Sequence, residues 1–461
     1  MLYKTRRLYF AKEKISAKPF NRFIKIFRHW LSFPHDFDKN RRNRIYTVFE
    51  TFWLFLYQVL SYNGSCQYAV SKAISFLAIK TSHIPSPNNG SYCKARMKLS
   101  LKAIKEILCT LIRRSQQEIR QDQLWYGKQV KVVDGTTCTL ADTPKNQKAF
   151  PQPESQKPGC GFPMIRIVAL FSLAMGTVLK WRKGAYRESE RTLFRSLIDS
   201  LEENDVLLGD RGMGSYMDFL FLMKRGVNFV IRVSKKNRKQ IIKKFGKKDH
   251  LVRWLKPLAR PRWVDKETWR SVPSFLLLRE VSYCIDSRGF RTNKVTVVTN
   301  LVDQRTFPSR AFQELYYRRW KVELYFRDIK TTLGMDRLSC KTPDMVKKEI
   351  LMHLIAYNLI RMMMFQSGQI HKTSVEEMSF KGTVNLFLQF IPYFELSNND
   401  ERGFVKILSI FYQAIARLKK PWRPNRREPR AVKRRPKRYQ YLTQSRNIFK
   451  EDPHRGKRPY S

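Results

Sequence analysis

The stretch Gln129-Val130-Lys131-Val132-Val133-Asp134-Gly135-Thr136-Thr137 is where the pattern of the chain changes. Upstream, residues 44–60, 66–79 and 101–120 carry apolar side chains at helix-length periods. At Val130 a short apolar run begins, which we read as a buried strand ending at Asp134-Gly135, a common turn dipeptide. Residues 165–171 and 177–181 read as strands around a tight turn at Met175-Gly176. Residues 188–202 read as a helix with acidic residues in its first turn, where the helix dipole favours them. Residues 206–208 form a short buried strand running into Asp210, followed by a helix near 215–224 and a strand at 227–233. The order strand, strand, strand, helix, strand, helix, strand predicts an α/β core.

Residues 236–301 interrupt this core and look β-rich, with strands at 275–284 and 294–299 flanking Asp286-Ser287-Arg288-Gly289. Residues 309–333 predict one long helix, and 345–365 a second, more apolar one whose Met362-Met363-Met364 run suits a core. The turn segment 85–90 precedes the basic stretch Ser91-Tyr92-Cys93-Lys94-Ala95-Arg96-Met97-Lys98, compatible with a DNA-binding helical module using Lys94 and Arg96. The expected organisation is a helical, DNA-binding region at 1–125 and the first part of the core at 126–235. The β-rich insertion follows at 236–301, then the last part of the core at 302–366 and C-terminal helices at 367–418. A basic tail at 419–461 has few apolar anchors and is expected to stay disordered until it meets a polyanion.

The chain has 461 residues, with 90 Lys and Arg against 38 Asp and Glu, a formal charge of +52. Charged residues make up 28%, near the ordinary globular share of about 25%, so the excess is one of sign. A hydrophobic fraction of 43% excludes a disordered or collagen-like chain. The charge predicts a polyanionic partner, nucleic acid before membrane surface. Residues 417–461 hold 17 basic and 3 acidic residues, so +14 of the +52 is theirs and +38 runs through the rest. Seven cysteines without a C-x-x-C pair read as reduced, cytosolic thiols rather than a zinc site or a disulfide frame. The N-terminus has no secretory pattern, and the greasiest stretch, 48–60, contains Glu50 and is too short to span a bilayer.

Asp134 and Asp210 each follow a buried strand, where open α/β sheets place their ligands. Two carboxylates on neighbouring strands suit hard divalent cations, although each alone could simply cap a turn. The long helix adds Tyr316, Arg319, Glu323 and Lys330, at +3, +7 and +14 from the tyrosine. At about 100° per residue all four fall within an arc of about 60°, along roughly 21 Å. One face thus presents a phenol, a guanidinium, a carboxylate and an ammonium. That face could be a solvated, salt-bridged surface, or one that holds a metal with Glu323 and phosphates with Arg319 and Lys330.

Tyr316-x2-Arg319-x3-Glu323-x6-Lys330 resembles in full the Y-R-E-K signature of DDE transposases of the insertion-sequence-four type. Asp134-Gly-Thr and Asp210-Arg-Gly resemble that family's first and second acidic motifs, in the right order. The β-rich segment, the stretch around Lys94 and Arg96, and the tail run Lys433-Arg434-Arg435-Pro436-Lys437-Arg438 are also similar to family features. Met213 departs from the pattern, standing where an aromatic is expected. The resemblance covers roughly residues 60–440 and implies an RNase H-like catalytic core, with Asp134, Asp210 and Glu323 as a catalytic, metal-holding triad. It implies two Mg²⁺ ions, with Mn²⁺ able to substitute, and DNA contacts from Tyr316, Arg319 and Lys330. It further implies an enzyme that binds double-stranded DNA at the terminal inverted repeats and at a target. Cleavage of the element ends and joining of the 3′-hydroxyl would take place in a homodimeric paired-end complex, in the bacterial cytoplasm at the nucleoid, without a membrane. A non-catalytic DNA-binding descendant and a nuclease that cuts without joining are the rival readings.

Overall fold

Thr47 starts the first long helix. Its hydroxyl accepts from the Glu50 amide at 3.2 Å, and the Glu50 carboxylate accepts from the Thr47 amide at 3.2 Å, a reciprocal cap. In the computed structural model this helix runs Val48–Leu60, with every residue from Thr51 to Leu60 buried. The structure describes residues 21–35, 37, 45–62, 64–81, 84–233, 238–284, 294–397, 400–421, 440–445 and 448. Most of the expected tail, including its run at 433–438, and the turn at 286–289 lie outside these residues. Helices Asn21–Arg28, Cys66–Thr81, Gly90–Lys98 and Leu101–Gln117 are the other upstream helices among the described residues.

Among the described residues ten strands form one mixed sheet: β1 Val130–Leu140, β2 Met164–Ser172, β3 Val178–Ala185, β4 Val206–Gly209, β5 Asn228–Arg232, β6 Lys239–Gly246, β7 Asp249–Leu255, β8 Phe275–Cys284, β9 Lys294–Thr299 and β10 Arg337–Leu338. The order is β3-β2-β1-β4-β5-β9-β8-β7-β6, with β10 beside β1. β3, β2 and β1 are antiparallel, whereas β1, β4 and β5 are parallel. Three local readings need correction. β1 does not stop at Asp134 but continues to Leu140, because β2 pairs with it from Lys131–Ser172 to Thr139–Met164. Residues 188–202 are not one helix but the short helix Glu190–Arg195 and a 3-10 turn Ile198–Ser200. Strands β6–β9, within the expected insertion, prolong the sheet by antiparallel pairing of β9 with β5.

The two faces of the sheet carry separate cores. One is continuous from Ile26 to Ala416 and joins the upstream helices to the C-terminal ones around helix Pro343–His371. That helix is buried nearly all round, and Met362, Met363 and Met364 are core residues as expected. The other core packs helix Tyr216–Lys224 and residues 193–201 against β1, β2, β4 and β5 and reaches β7 and β8. The outer strand β6 is exposed along almost its whole length. No helix among the described residues is long and apolar enough to cross a membrane.

Candidate active site

β1 pairs with β4 only as far as Val132–Leu208, and β10 takes up the same edge at Thr139. Between them the edge of β1 is open, and this notch holds the acidic residues. Continuing the register by two residues sets Asp210 beside Asp134, and Asp210 is still extended at φ −83°, ψ 173°. Side chains alternate along a strand. Val130, Val132, Val206 and Leu208 face the larger core, so Asp134 and Asp210 turn to that same side. The helix bearing Glu323 packs there through Tyr316, Val322, Tyr325, Phe326 and Ile329. Asp210 Oδ1 is buried with no hydrogen-bond partner.

Burial is the main reason the Asp134 carboxyl is pushed up to about 6. The Gly135 amide, donating to Oδ1 at 2.8 Å, and Arg319 oppose that shift, while Glu190 and Glu323 add to it. The sequence reading assigned Glu190 only a dipole role. Its carboxyl lies over Gly135 instead, where a Cβ would stand 2.6 Å from it, and it pairs with Arg166 at 3.6 Å. A glycine after Asp134 is the one local sign that something presses on the strand there.

The long helix is not regular. Ser309–Tyr317 is α-helical, Arg318–Trp320 a 3-10 turn, Lys321–Arg327 α-helical and Asp328–Thr332 a π-turn. The first departure over-winds the helix and the second under-winds it, so they oppose one another along the Tyr316–Lys330 face. Glu376, which the sequence reading did not single out, grips the 3-10 turn by ion pairs with Arg318 at 2.9 Å and with Lys321. Arg319 is 4% exposed, its Nη2 3.5 Å from the Glu323 carboxylate and its guanidinium 4.7 Å from the Trp320 ring centre. Glu323 itself is exposed and Lys330 half-buried. Tyr316 is buried, so it is not a surface group waiting for DNA. Its hydroxyl is pushed up by burial, with Arg319 opposing and Asp210 adding.

Lys94 is exposed, but Arg96 is not. Its guanidinium donates to Gln58 Oε1 at 3.3 Å and Cys340 Sγ at 3.2 Å and stacks 3.9 Å from the Phe55 ring centre. These contacts correct the expectation that Arg96 faces DNA: it is an anchor inside the helical layer. Beside Asp210 a cavity of about 1040 Å³ opens toward β5–β9. Arg191, Arg211, Arg232, Arg238 and Lys294 line it, with no acidic side chain among its described lining residues. Met213, the departure from the family pattern, is buried beneath Gly209.

No three His, Cys, Asp or Glu side chains among the described residues are close enough to hold a metal as they stand. The donors nevertheless fit a hard divalent cation. Asp134 and Asp210 offer carboxylate oxygens on β1 and at the end of β4, and one of these oxygens is buried and unpartnered. Glu323 would complete the set in exchange for its contact with Arg319.

The model of the transposase DDE domain matches residues 125–359, just over half of the chain, a range that contains all six motif positions. The chain belongs to this family. It is a DDE transposase of the insertion-sequence-four type, an enzyme of an insertion sequence. The transposase is similar to transposase InsG for insertion sequence element IS4 of Escherichia coli K12, with 26% identity over 353 residues, 75% of this chain and 76% of that protein. A putative transposase InsZ of the same organism is 29% identical over 105 residues, 23% of this chain and 35% of that one. Among solved structures, the piggyBac transposase synaptic complex with hairpin DNA aligns over 82% of this chain and 80% of that one, at a TM-score of 0.42 and 11% identity. A likeness at that level adds nothing to the assignment.

Proposed function

We propose that this transposase binds the terminal inverted repeats of its element, hydrolyses a phosphodiester at each end, and joins the freed 3′-hydroxyl to target DNA. The order β3-β2-β1-β4-β5, antiparallel then parallel, supports an RNase H-like core for that chemistry. What supports the reading is the β1–β4 register, which continued by two residues brings Asp210 level with Asp134 on the side where the helix bearing Glu323 packs. When bound by these three carboxylates, divalent cations (two Mg²⁺, or Mn²⁺ in their place) supply Lewis acidity at both ends of an in-line displacement. The chain's own residues do the rest. Arg319 orients Glu323, and Tyr316 supports Arg319 from below. Lys330 and the basic wall beside Asp210 take phosphates, and Lys94 contacts DNA from the helical layer. A homodimer holds two ends together.

The test replaces charge while keeping shape: Asp134→Asn, Asp210→Asn and Glu323→Gln. Each is expected to abolish cleavage and strand transfer while duplex binding is retained or slightly tightened, because negative charge facing phosphate is removed. A folded Glu323→Gln protein that cuts element ends at the normal rate would overturn the triad.

A further inference from the structure

A groove of about 1380 Å³ opens toward the N-terminal ends of β1 and β4, bounded by helix Leu101–Gln117, strand β3 and residues 199–203 and 224–225. Eight basic side chains line it against three acidic ones. Two of the eight are already neutralised: Lys131 by Asp205 at 2.7 Å, and Arg225 by Asp199 at 3.4 Å. The other six, Lys105, Arg113, Lys180, Arg182, Lys183 and Lys224, form no ion pair among the described residues. β3 is an outer strand of the sheet, and lysines on such a strand can serve only to ward off a second sheet. That accounts for Lys180, but not for Lys105, Arg113 and Lys224, which reach the same space from two helices.

Like charges gathered around one space repel one another unless a polyanion lies between them. Burial lowers the Lys183 ammonium below its ordinary range, and Lys347 and then Lys105 press it the same way, with Glu188 and Asp344 opposing. Lys105 and Arg113 stand about 12 Å apart along one helix. Half-buried Trp181 adds a flat wall between the two sides. Lys131 at the groove and Asp134 in the notch are three residues apart on β1, about 10 Å, and face opposite sides of the sheet. The groove is therefore distinct from the carboxylate site yet rigidly tied to it.

We infer that this groove is a second, sequence-independent track for the phosphodiester backbone of duplex DNA, an inference that rests on the DNA-binding reading above. Its test is the salt dependence of duplex binding by the full chain. Each phosphate that the protein no longer neutralises lowers the slope of log affinity against log salt by about 0.9. Lys105, Arg113 and Lys224 are exposed positions without ion pairs among the described residues, and the triple variant Lys105→Ala, Arg113→Ala, Lys224→Ala is expected to flatten the slope by about 2.7. The loss should be equal on duplexes carrying the element end and on random duplexes. A control triple of equal charge, Lys381→Ala, Arg402→Ala and Lys406→Ala on the C-terminal helices, should leave the slope near that of the parent. An unchanged slope in the groove variant, or an equal fall in the control, would overturn the groove while leaving DNA binding in place. A loss confined to element ends would overturn its sequence independence. A parent chain that binds no duplex at any salt would overturn both the groove and the function it rests on.

Discussion

Arg319 spends only part of its guanidinium on a carboxylate. Its Nη2 lies 3.5 Å from Glu323, and its Nε is buried without a partner. Removing it frees Glu323 to wander, although the pair itself, open to solvent on the glutamate side, is worth only about 0.3–0.5 kcal/mol at rest. Because misplacing a catalytic group by about 1 Å can cost on the order of 100-fold, Arg319→Ala is expected to slow end cleavage by roughly 10- to 100-fold while duplex affinity falls far less. Cleavage by saturating enzyme, measured beside a binding isotherm, separates the two effects. Lys330→Ala should do the reverse and weaken binding more than it slows cleavage. The spacing along one helix face found these residues because a helix fixes its own periodicity. It could not find Glu190, whose approach to Gly135 depends on how a helix packs across the sheet, nor foresee that Arg96 turns inward onto Phe55.

At the level of elements, the β2–β3 turn is held from outside. Gly176 has φ +73°, and a Cβ there would stand 2.1 Å from the Arg361 guanidinium. Arg361 donates to the Met175 carbonyl, and the Tyr357 hydroxyl donates to the Gly176 carbonyl at 2.6 Å. Gly176→Ala would incur the left-handed penalty of about 1–2 kcal/mol and displace Arg361 as well. We expect urea unfolding to show a loss of at least about 2 kcal/mol. Helix Pro343–His371 makes a second prediction. Burial pushes the His353 imidazole down to about 4, with Glu349 and Asp336 opposing. The unfolded imidazole takes its proton below about 6.5, whereas the folded one resists until about 4. Its contribution is intact above 6.5 and lost as pH falls toward 4, on the order of 3 kcal/mol in all. Unfolding midpoints at pH 7 and pH 5 should differ less for His353→Leu than for the parent. Strand β1 shows where local reading fails at this scale. Asp134-Gly135 has the composition of a turn, but nine residues of β2 pair across it and hold it extended. The β-branched Thr136, Thr137 and Thr139 were the available hint.

The whole molecule is a basic body with a basic tail. Deleting residues 422–461 removes most of the tail's charge but keeps the hydrogen bond from the Lys420 amide to the Glu377 carbonyl at 2.7 Å. General duplex affinity should fall and its salt slope flatten, while preference for element ends over random DNA at matched salt stays. Loss of that preference would make the tail a reader of sequence. Composition and strand order in the sequence were enough for the α/β class and a nucleic-acid partner. That β6–β9 extend one sheet was not legible, since it depends on β5 meeting β9 across some sixty residues of chain.

Among the described residues, strand β6 leaves one border of that sheet without a neighbour. Ile241 and Ile242 stand there 51% and 45% exposed, bracketed by Lys239, Lys243 and Lys244. Lys239 is paired with Glu280, so repulsion by Lys243 and Lys244 is what would keep two copies from zipping border to border. The range of that repulsion shrinks from about 10 Å at 0.1 M salt to about 3 Å at 1 M. Salt strong enough to strip DNA from this protein, as expected above, should thus also weaken its protection against clumping. Light scattering of DNA-free protein should rise with ionic strength, and Ile241→Lys with Ile242→Lys should suppress the rise.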